Sequence, residues 1–369
     1  MKLKPIGLYI HIPFCKGKCP YCDFYSITPT DGIIDSYTDA LCRKLQSEKR
    51  VFDTVYFGGG TPSLLGADNI CKIIRCVDTT PDCEITLECN PSDTGGKTSF
   101  FDFKSVAEAG INRISMGLQS ALDSERRFLG RRAGADDAER AVERAHSAGI
   151  ENISLDLMLG IEGQSDESIA NSINFCRRLG AKHLSMYMLK LEQGTPLYTR
   201  KSELHLPNDD ETADMYLFAV SQAEKSGYFQ YEISNFSEKG FESRHNLKYW
   251  RCEEYLGVGA AAHSFVGGKR FFYERSTQGF IDGNMPVEDG NGGDEEEYVM
   301  LALRLTEGLN ENSFCEKYSH SLPEAFKKKA DYFQRHGLMH NADGSFSLTV
   351  QGFLLSNQII FELIDTLRA

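Results

Sequence analysis

Residues 9–24 read YIHIPFCKGKCPYCDF, and the fold follows from what this stretch joins. A β-rich run, GLYIHIP (7–13), stops at a proline and passes straight into Cys15, Cys19 and Cys22, spaced C-x3-C-x2-C. Further β-rich runs follow at intervals of about 30 to 45 residues: TVYFGGG (54–60), EITLECNP (84–91), RISMGLQ (113–119), NISLDLMLG (152–160) and HLSMYMLKL (183–191). Helical patterns lie between them. Tyr37, Leu41 and Leu45 are spaced by four, Asp136 precedes an Ala/Val-rich stripe ending at Gly149, and Ser165 precedes Ile169, Ile173 and Leu179 with Gly180 as the stop. Strand–helix alternation predicts βα units on a parallel sheet. Six units make three-quarters of a (β/α)8 barrel, open on one side, with its reactive groups at the C-terminal strand ends.

The chain has 369 residues, with 41% hydrophobic and 25% charged, the profile of a globular protein of two domains. Its formal charge of −13 makes nucleic acid and anionic lipid poor partners, so any membrane association is at most peripheral. MKLKPIGLYIHIPF is broken by Pro5 and His11 and offers no signal peptide, and no apolar run spans a bilayer; a cytoplasmic protein is expected. Eleven cysteines, an odd number, argue against a disulfide framework. Cys42, Cys71, Cys76, Cys83, Cys89, Cys176, Cys252 and Cys315 are scattered and read as small buried hydrophobes.

The clustered three need another account. Several thiolates on one short loop suit a cubane iron–sulfur cluster, and three ligands leave one iron of a [4Fe–4S] cluster without a protein sulfur. The amino and carboxylate groups of S-adenosylmethionine (SAM) can chelate that iron, and an electron, delivered by a donor, can then split the sulfonium bond. Gly17, Lys18 and Pro20 suit a tight turn, and Tyr21 can shield one face. The competing reading is a structural zinc site, for which His11 is the one local fourth ligand.

The other strand ends carry polar groups. Gly59, Gly60 and Thr61 in FGGGTPS expose backbone to a ligand such as the methionine amino group of SAM, or simply form a tight turn. Glu88 ends the third strand, where it could accept from ribose hydroxyls; Gln119 ends the fourth, and Arg131 follows in FLGRR. Asp156 sits in an apolar strand and needs a partner, either a ligand or Arg131. HNLKYW (245–250) holds the one tryptophan of the chain in a segment expected to be irregular. His245 there reads as a core histidine or as an axial heme ligand, and His263 in GAAAHSF is a second candidate.

Residues 209–226 look helical, 228–288 irregular and aromatic-rich, and GNGGDEEE (290–297) reads as a linker. Helical stretches and a hairpin turning at Asp343-Gly344 then suggest a winged-helix-like module. Residues 291–369 carry 12 acidic and 7 basic side chains, so this module suits structural or partner docking rather than DNA. The expected division is 1–205 for the partial barrel, 206–289 for its extension, and 290–369 for the C-terminal helical domain.

Taken in order, YIHIPFCKGKCPYCDF, FGGGTPS, GLQS with LGR, SLDLMLG and HNLKYW closely resemble the radical SAM heme chaperones (HemW type), a family grouped with the oxygen-independent coproporphyrinogen III oxidases. The resemblance covers nearly the whole chain. It implies an incomplete (β/α)6 barrel carrying the cluster, a C-terminal helical domain, and heme passed to an unidentified acceptor protein. It also implies SAM contacts at Tyr9, Tyr21, Gly59, Gly60, Thr61, Glu88, Gln119, Arg131 and Asp156, and a heme role for His245. The oxidases resemble C-x3-C-x2-C-x-C with a longer arm ahead of the first strand; here Phe24 stands at the fourth cysteine position and the motif begins at residue 15. Both departures count against decarboxylation of porphyrinogen propionates, which stays the alternative beside a zinc-stabilised interaction module.

Overall fold

Alternation within the six β-rich runs sets the architecture. In the computed structural model, β1 (Ile6–Ile12), β2 (Phe52–Gly59), β3 (Thr79–Cys89), β4 (Arg113–Gln119), β5 (Asn152–Leu159) and β6 (His183–Met188) pair in parallel, in chain order. Residues 4–94 and 101–368 are described; Met1–Leu3, the head of the N-terminal stretch read above, lie outside them. One set of alternate side chains is apolar and buried: Leu8 and Ile10, Val55 and Phe57, Ile85 and Leu87, Ile114 and Met116, Ile153 and Leu155, Leu184 and Met186. They pack in one core with the helices, including Tyr37, Leu41 and Leu45 of helix Ile33–Gln46 and Ile169 and Ile173 of helix Asp166–Arg178. Ser165 caps the latter by accepting a hydrogen bond from the Ser168 N–H.

The opposite set is polar and faces the barrel interior. Strand register aligns it in rows: Tyr9 beside Tyr56, Thr86 and Arg113, then Glu88 beside Ser115, Ser154 and His183, then Gly117 beside Asp156 and Ser185. A closed (β/α)8 barrel fills these positions with branched apolar residues. This interior is therefore built to hold polar groups.

Five expectations are corrected by the structure. Strand β3 begins at Thr79 rather than residue 84, and β6 ends at Met188 rather than 191. Residues 228–288 are not irregular. They form β7 (Phe229–Gln230), β8 (Asn235–Ser237), the helix Arg244–Trp250, β9 (Tyr255–Val258), β10 (His263–Val266) and β11 (Lys269–Phe272), with β12 (Val287–Asn291) beginning at their end. Strand β9 pairs in parallel with β1, β10 to β12 continue antiparallel beyond it, and β8 and β7 extend the edge at β6. Strands this short give alternation too few positions to register in sequence. The expected linker at 290–297 is largely ordered, since β12 ends in it and helix Glu295–Ala302 begins in it, capped by Asp294. HNLKYW is helical, not irregular.

Strands β7 and β12 end the sheet on opposite sides and do not pair among the described residues, so the barrel stays incomplete. Helices Glu311–Tyr318 and Glu324–Arg335 lead into the hairpin of β14 (Met339–Ala342) and β15 (Ser345–Leu348), joined by β13 (Leu309–Asn310), the winged arrangement expected. The turn residues Asp343 and Gly344 both have positive φ, 53° and 74°, as a two-residue hairpin loop requires. Among the described residues, no helix is long and apolar enough to cross a membrane.

Gly257 lets β9 and β10 approach, because a Cβ there would stand 1.9 Å from the His263 carbonyl oxygen. Gly257→Ala should therefore lower stability by about 1–3 kcal/mol, the usual cost of overpacking. The check is the urea midpoint; an unchanged midpoint would mean that these strands do not lie so close.

Candidate metal and cofactor site

The cysteine loop is fastened to the end of β2. The N–H of Gly60 donates to the Ile12 carbonyl (2.8 Å) and that of Thr61 to the Phe14 carbonyl (2.7 Å). A Cβ on Gly60 would lie 2.5 Å from the Phe14 oxygen, and one on Gly59, whose φ is 114°, would lie 2.6 Å from the His11 ring. Contact within the chain thus accounts for both glycines, whatever a ligand adds. The return of the loop is tied by Cys15 N–H to the Ile27 carbonyl (3.0 Å) and by Cys22 N–H to the Cys19 carbonyl (3.1 Å).

Cys15, Cys19 and Cys22 are all free and partly exposed. The Cys15 Sγ lies 3.5 Å from the Thr61 hydroxyl, and Cys19 Sγ accepts from Arg131 Nη1 at 3.6 Å. Tyr21 packs against Leu129, Met158 and Ile161, beside Cys19. Of the scattered cysteines, Cys42, Cys71, Cys83, Cys89, Cys176 and Cys252 are buried as expected, while Cys76 and Cys315 are half-buried.

The donor set fits a cubane better than zinc. His11, the fourth zinc ligand considered above, has both ring nitrogens occupied: Nδ1 accepts from Tyr9 Oη at 3.0 Å, and Nε2 donates to the Tyr25 carbonyl at 3.2 Å. Among the described residues, no three His, Cys, Asp or Glu side chains converge as ligands of a single ion would. Ligands of a cubane bind separate irons and need no such convergence.

The rim and interior gather most of the remaining polar candidates. Glu88 accepts from Tyr56 Oη (2.8 Å) and from the Gly59 N–H (3.1 Å). Burial, reinforced by Asp156, pushes its carboxyl up to about 7; burial likewise raises Asp156 to about 6, against the pull of Ser185, Arg113 and Ser115. Asp156 accepts from Ser115 at 3.4 Å and is not bonded to Arg131, whose Nη2 donates to the Gly117 carbonyl at 2.5 Å. Gln119 follows a bulge at Gly117 and has φ 70°, a conformation uncommon outside glycine.

His245 lies elsewhere. It is fully buried at the opposite end of the barrel, with Nδ1 against Thr54 Oγ1 and Nε2 against Tyr249 Oη, both at 2.8 Å. Its ring stacks on Tyr56, and burial lowers its pKa to about 3. The geometry matches the core-histidine reading and leaves no nitrogen for a heme iron. Sequence reasoning missed Tyr56, Arg113 and His183, all on the polar face. Arg113 is 2% exposed, and its Nε has no hydrogen-bond partner among the described residues. Their signal was the polar residue at every second position of the strands.

Comparison with known proteins agrees with this architecture. Residues 9–176 match the radical SAM superfamily model and residues 295–355 that of the HemN C-terminal domain. The chain is 37% identical to heme chaperone HemW of Bacillus subtilis, over 95% of this chain and 97% of that protein. The chain belongs to the HemW family. HemW of Escherichia coli is 32% identical, covering 98% of each chain. The structure of coproporphyrinogen III oxidase HemN from Escherichia coli superposes with a TM-score of 0.80 and 19% identity, covering 98% of this chain and 91% of that one, a likeness of fold.

A [4Fe–4S] cluster and SAM are the cofactors of the radical SAM superfamily; a cluster on this loop would be held by Cys15, Cys19 and Cys22 and would supply one-electron chemistry. The residues around it orient and shield: Thr61 and Arg131 stand beside two of the sulfurs, and Tyr21 walls one side. In the ligand-free protein, the raised carboxyl of Glu88 makes the folded state bind more protons than the unfolded one between about 4.5 and 7. Its contribution is thus full below pH 4.5 and lost as pH rises through 7. Glu88→Gln should flatten the fall of the urea midpoint across that window; a slope equal to wild type would place the titration on another group.

Proposed function

We propose that this chain binds heme and hands it to an acceptor protein, carrying a [4Fe–4S] cluster on Cys15, Cys19 and Cys22 with SAM at its open iron. What carries the reading is the match to heme chaperones over 95% of the chain. Tyr9, Tyr21, Gly59, Gly60, Thr61, Glu88, Gln119, Arg131 and Asp156 are its SAM contacts, a role supported by the convergence of their strands on the rim beside the cysteine loop. An electron donor serves the cluster. The work is divided among residues 1–205 as the partial barrel, 206–289 as its extension, and 290–369 as the C-terminal domain, in the cytoplasm and with peripheral membrane contact at most. An acidic chain of net charge −13 suits protein and heme partners, not nucleic acid.

Phe24, at the fourth cysteine position of the oxidases, sets the chain apart from porphyrinogen decarboxylation. Anaerobic reconstitution with iron and sulfide should give a brown protein whose spectrum changes with SAM, and Cys19→Ala should remove the colour. The reconstituted protein should bind heme and leave coproporphyrinogen III unconverted. Formation of protoporphyrinogen IX would replace the chaperone reading with the oxidase one, and colour retained in Cys19→Ala would mean the ligands are misassigned.

A further inference from the structure

Where β9 to β12 extend the sheet past β1, the barrel opens sideways into a cavity of about 650 Å³, of the size that takes small organic ligands. Its walls are largely aromatic, among them Tyr255 and Phe272. Asp23, Phe24 and Tyr25, directly after Cys22, form the side toward the cysteine loop, and Asp289 lines the cavity as a second carboxylate. On β10, opposite Phe272, stands His263. It is exposed to the cavity, its ring stacks on Phe272 with centroids 5.7 Å apart, and neither imidazole nitrogen is hydrogen-bonded among the described residues. Arg275 lines the same cavity, exposed and without an ion pair.

A flat apolar ring, an open ligand position on iron and anionic side chains are what heme presents. The cavity answers each with aromatic walls, a free imidazole and a free guanidinium. We propose that heme occupies this lateral cavity, with His263 as the iron ligand and Arg275 against a propionate. This rests on the chaperone reading and names its site. The candidate histidine of HNLKYW cannot serve in the same way, because Thr54 and Tyr249 occupy both its nitrogens. Heme so placed shares one wall, Phe24 and Tyr25, with the cysteine loop.

The test uses the full-length protein, reconstituted anaerobically and titrated with ferric heme, with the Soret band and low-temperature EPR as readouts. His263→Ala should shift the Soret band and weaken binding by about tenfold or more, the effect expected for loss of one strong ligand, while the cluster absorbance is retained. Added imidazole should restore the spectrum. His263→Met, which fills the same space, should move the spectrum to that of a sulfur-ligated heme. Arg275→Ala should weaken binding without moving the band. A wild-type spectrum and affinity in His263→Ala, or loss of the ligand signature in His245→Ala with the cluster intact, would overturn the assignment. Failure of the wild-type protein to bind heme would instead remove the chaperone reading, and this site with it.

Discussion

A parallel sheet usually hides apolar side chains on both faces, and here one face is polar throughout. Buried polar groups must find partners, because each one left unpaired costs a few kcal/mol. At the N-terminal end of the strands the protein supplies many of them, though Arg113 Nε and Asn152 Oδ1 are left without a hydrogen bond among the described residues. The Glu84 carboxylate accepts the N–H groups of Arg244 and His245 (3.2 and 3.1 Å), where it also meets the positive end of helix Arg244–Trp250. Thr54 and Tyr249 hold the His245 ring, and Ser154 and Tyr231 hold that of His183. Gly7 leaves room for this plug: a Cβ there would come within 2.9 Å of the Lys248 side chain. At the other end Tyr9, Glu88, Arg131 and Asp156 stay partly open, so ligand chemistry is confined to the rim.

The same constraint places the cysteine loop. Backbone contact between Phe14 and Gly60 sets its start. Its far side is wedged by Pro20, whose ring fills the space over Gly130 and whose carbonyl accepts from the Leu197 N–H at 2.8 Å. The end of β2 and the segments that follow β4 and β6 therefore fix one loop. A metal centre bound there would be preorganised by these outside contacts as well as by the loop's own Cys22–Cys19 hydrogen bond.

Much of this was legible in the residues. The C-x3-C-x2-C spacing after a strand, the six βα units and the hairpin at Asp343-Gly344 are local patterns, and each survives into the structure. The interior face left a signal that went unread: Thr54/Tyr56, Glu84/Thr86/Glu88, Arg113/Ser115, Ser154/Asp156 and His183/Ser185 alternate strictly with apolar residues. What sequence could not supply was pairing at a distance. The two- to five-residue strands of 228–291 depend on neighbours such as β1 for their existence. The residues left His245 open between a core histidine and a ligand because its partners are Thr54, 191 positions away, and Tyr249, which is four residues on and legible only once the segment is known to be helical.

The barrel interior and the lateral cavity share side chains of β1. Tyr9 and His11 face the interior from β1 and also line the lateral cavity, and a chain of hydrogen bonds runs from the Tyr9 hydroxyl through the His11 ring to the Tyr25 carbonyl. Burial lowers His11 to about 4, so the imidazole between them is neutral at physiological pH. A neutral partition adds no charge to either space. It also has a fixed sense, with Tyr9 donating to His11 and His11 donating to the loop that carries the cysteines. Anything that moves Tyr25, three residues beyond Cys22, must break or re-aim that chain.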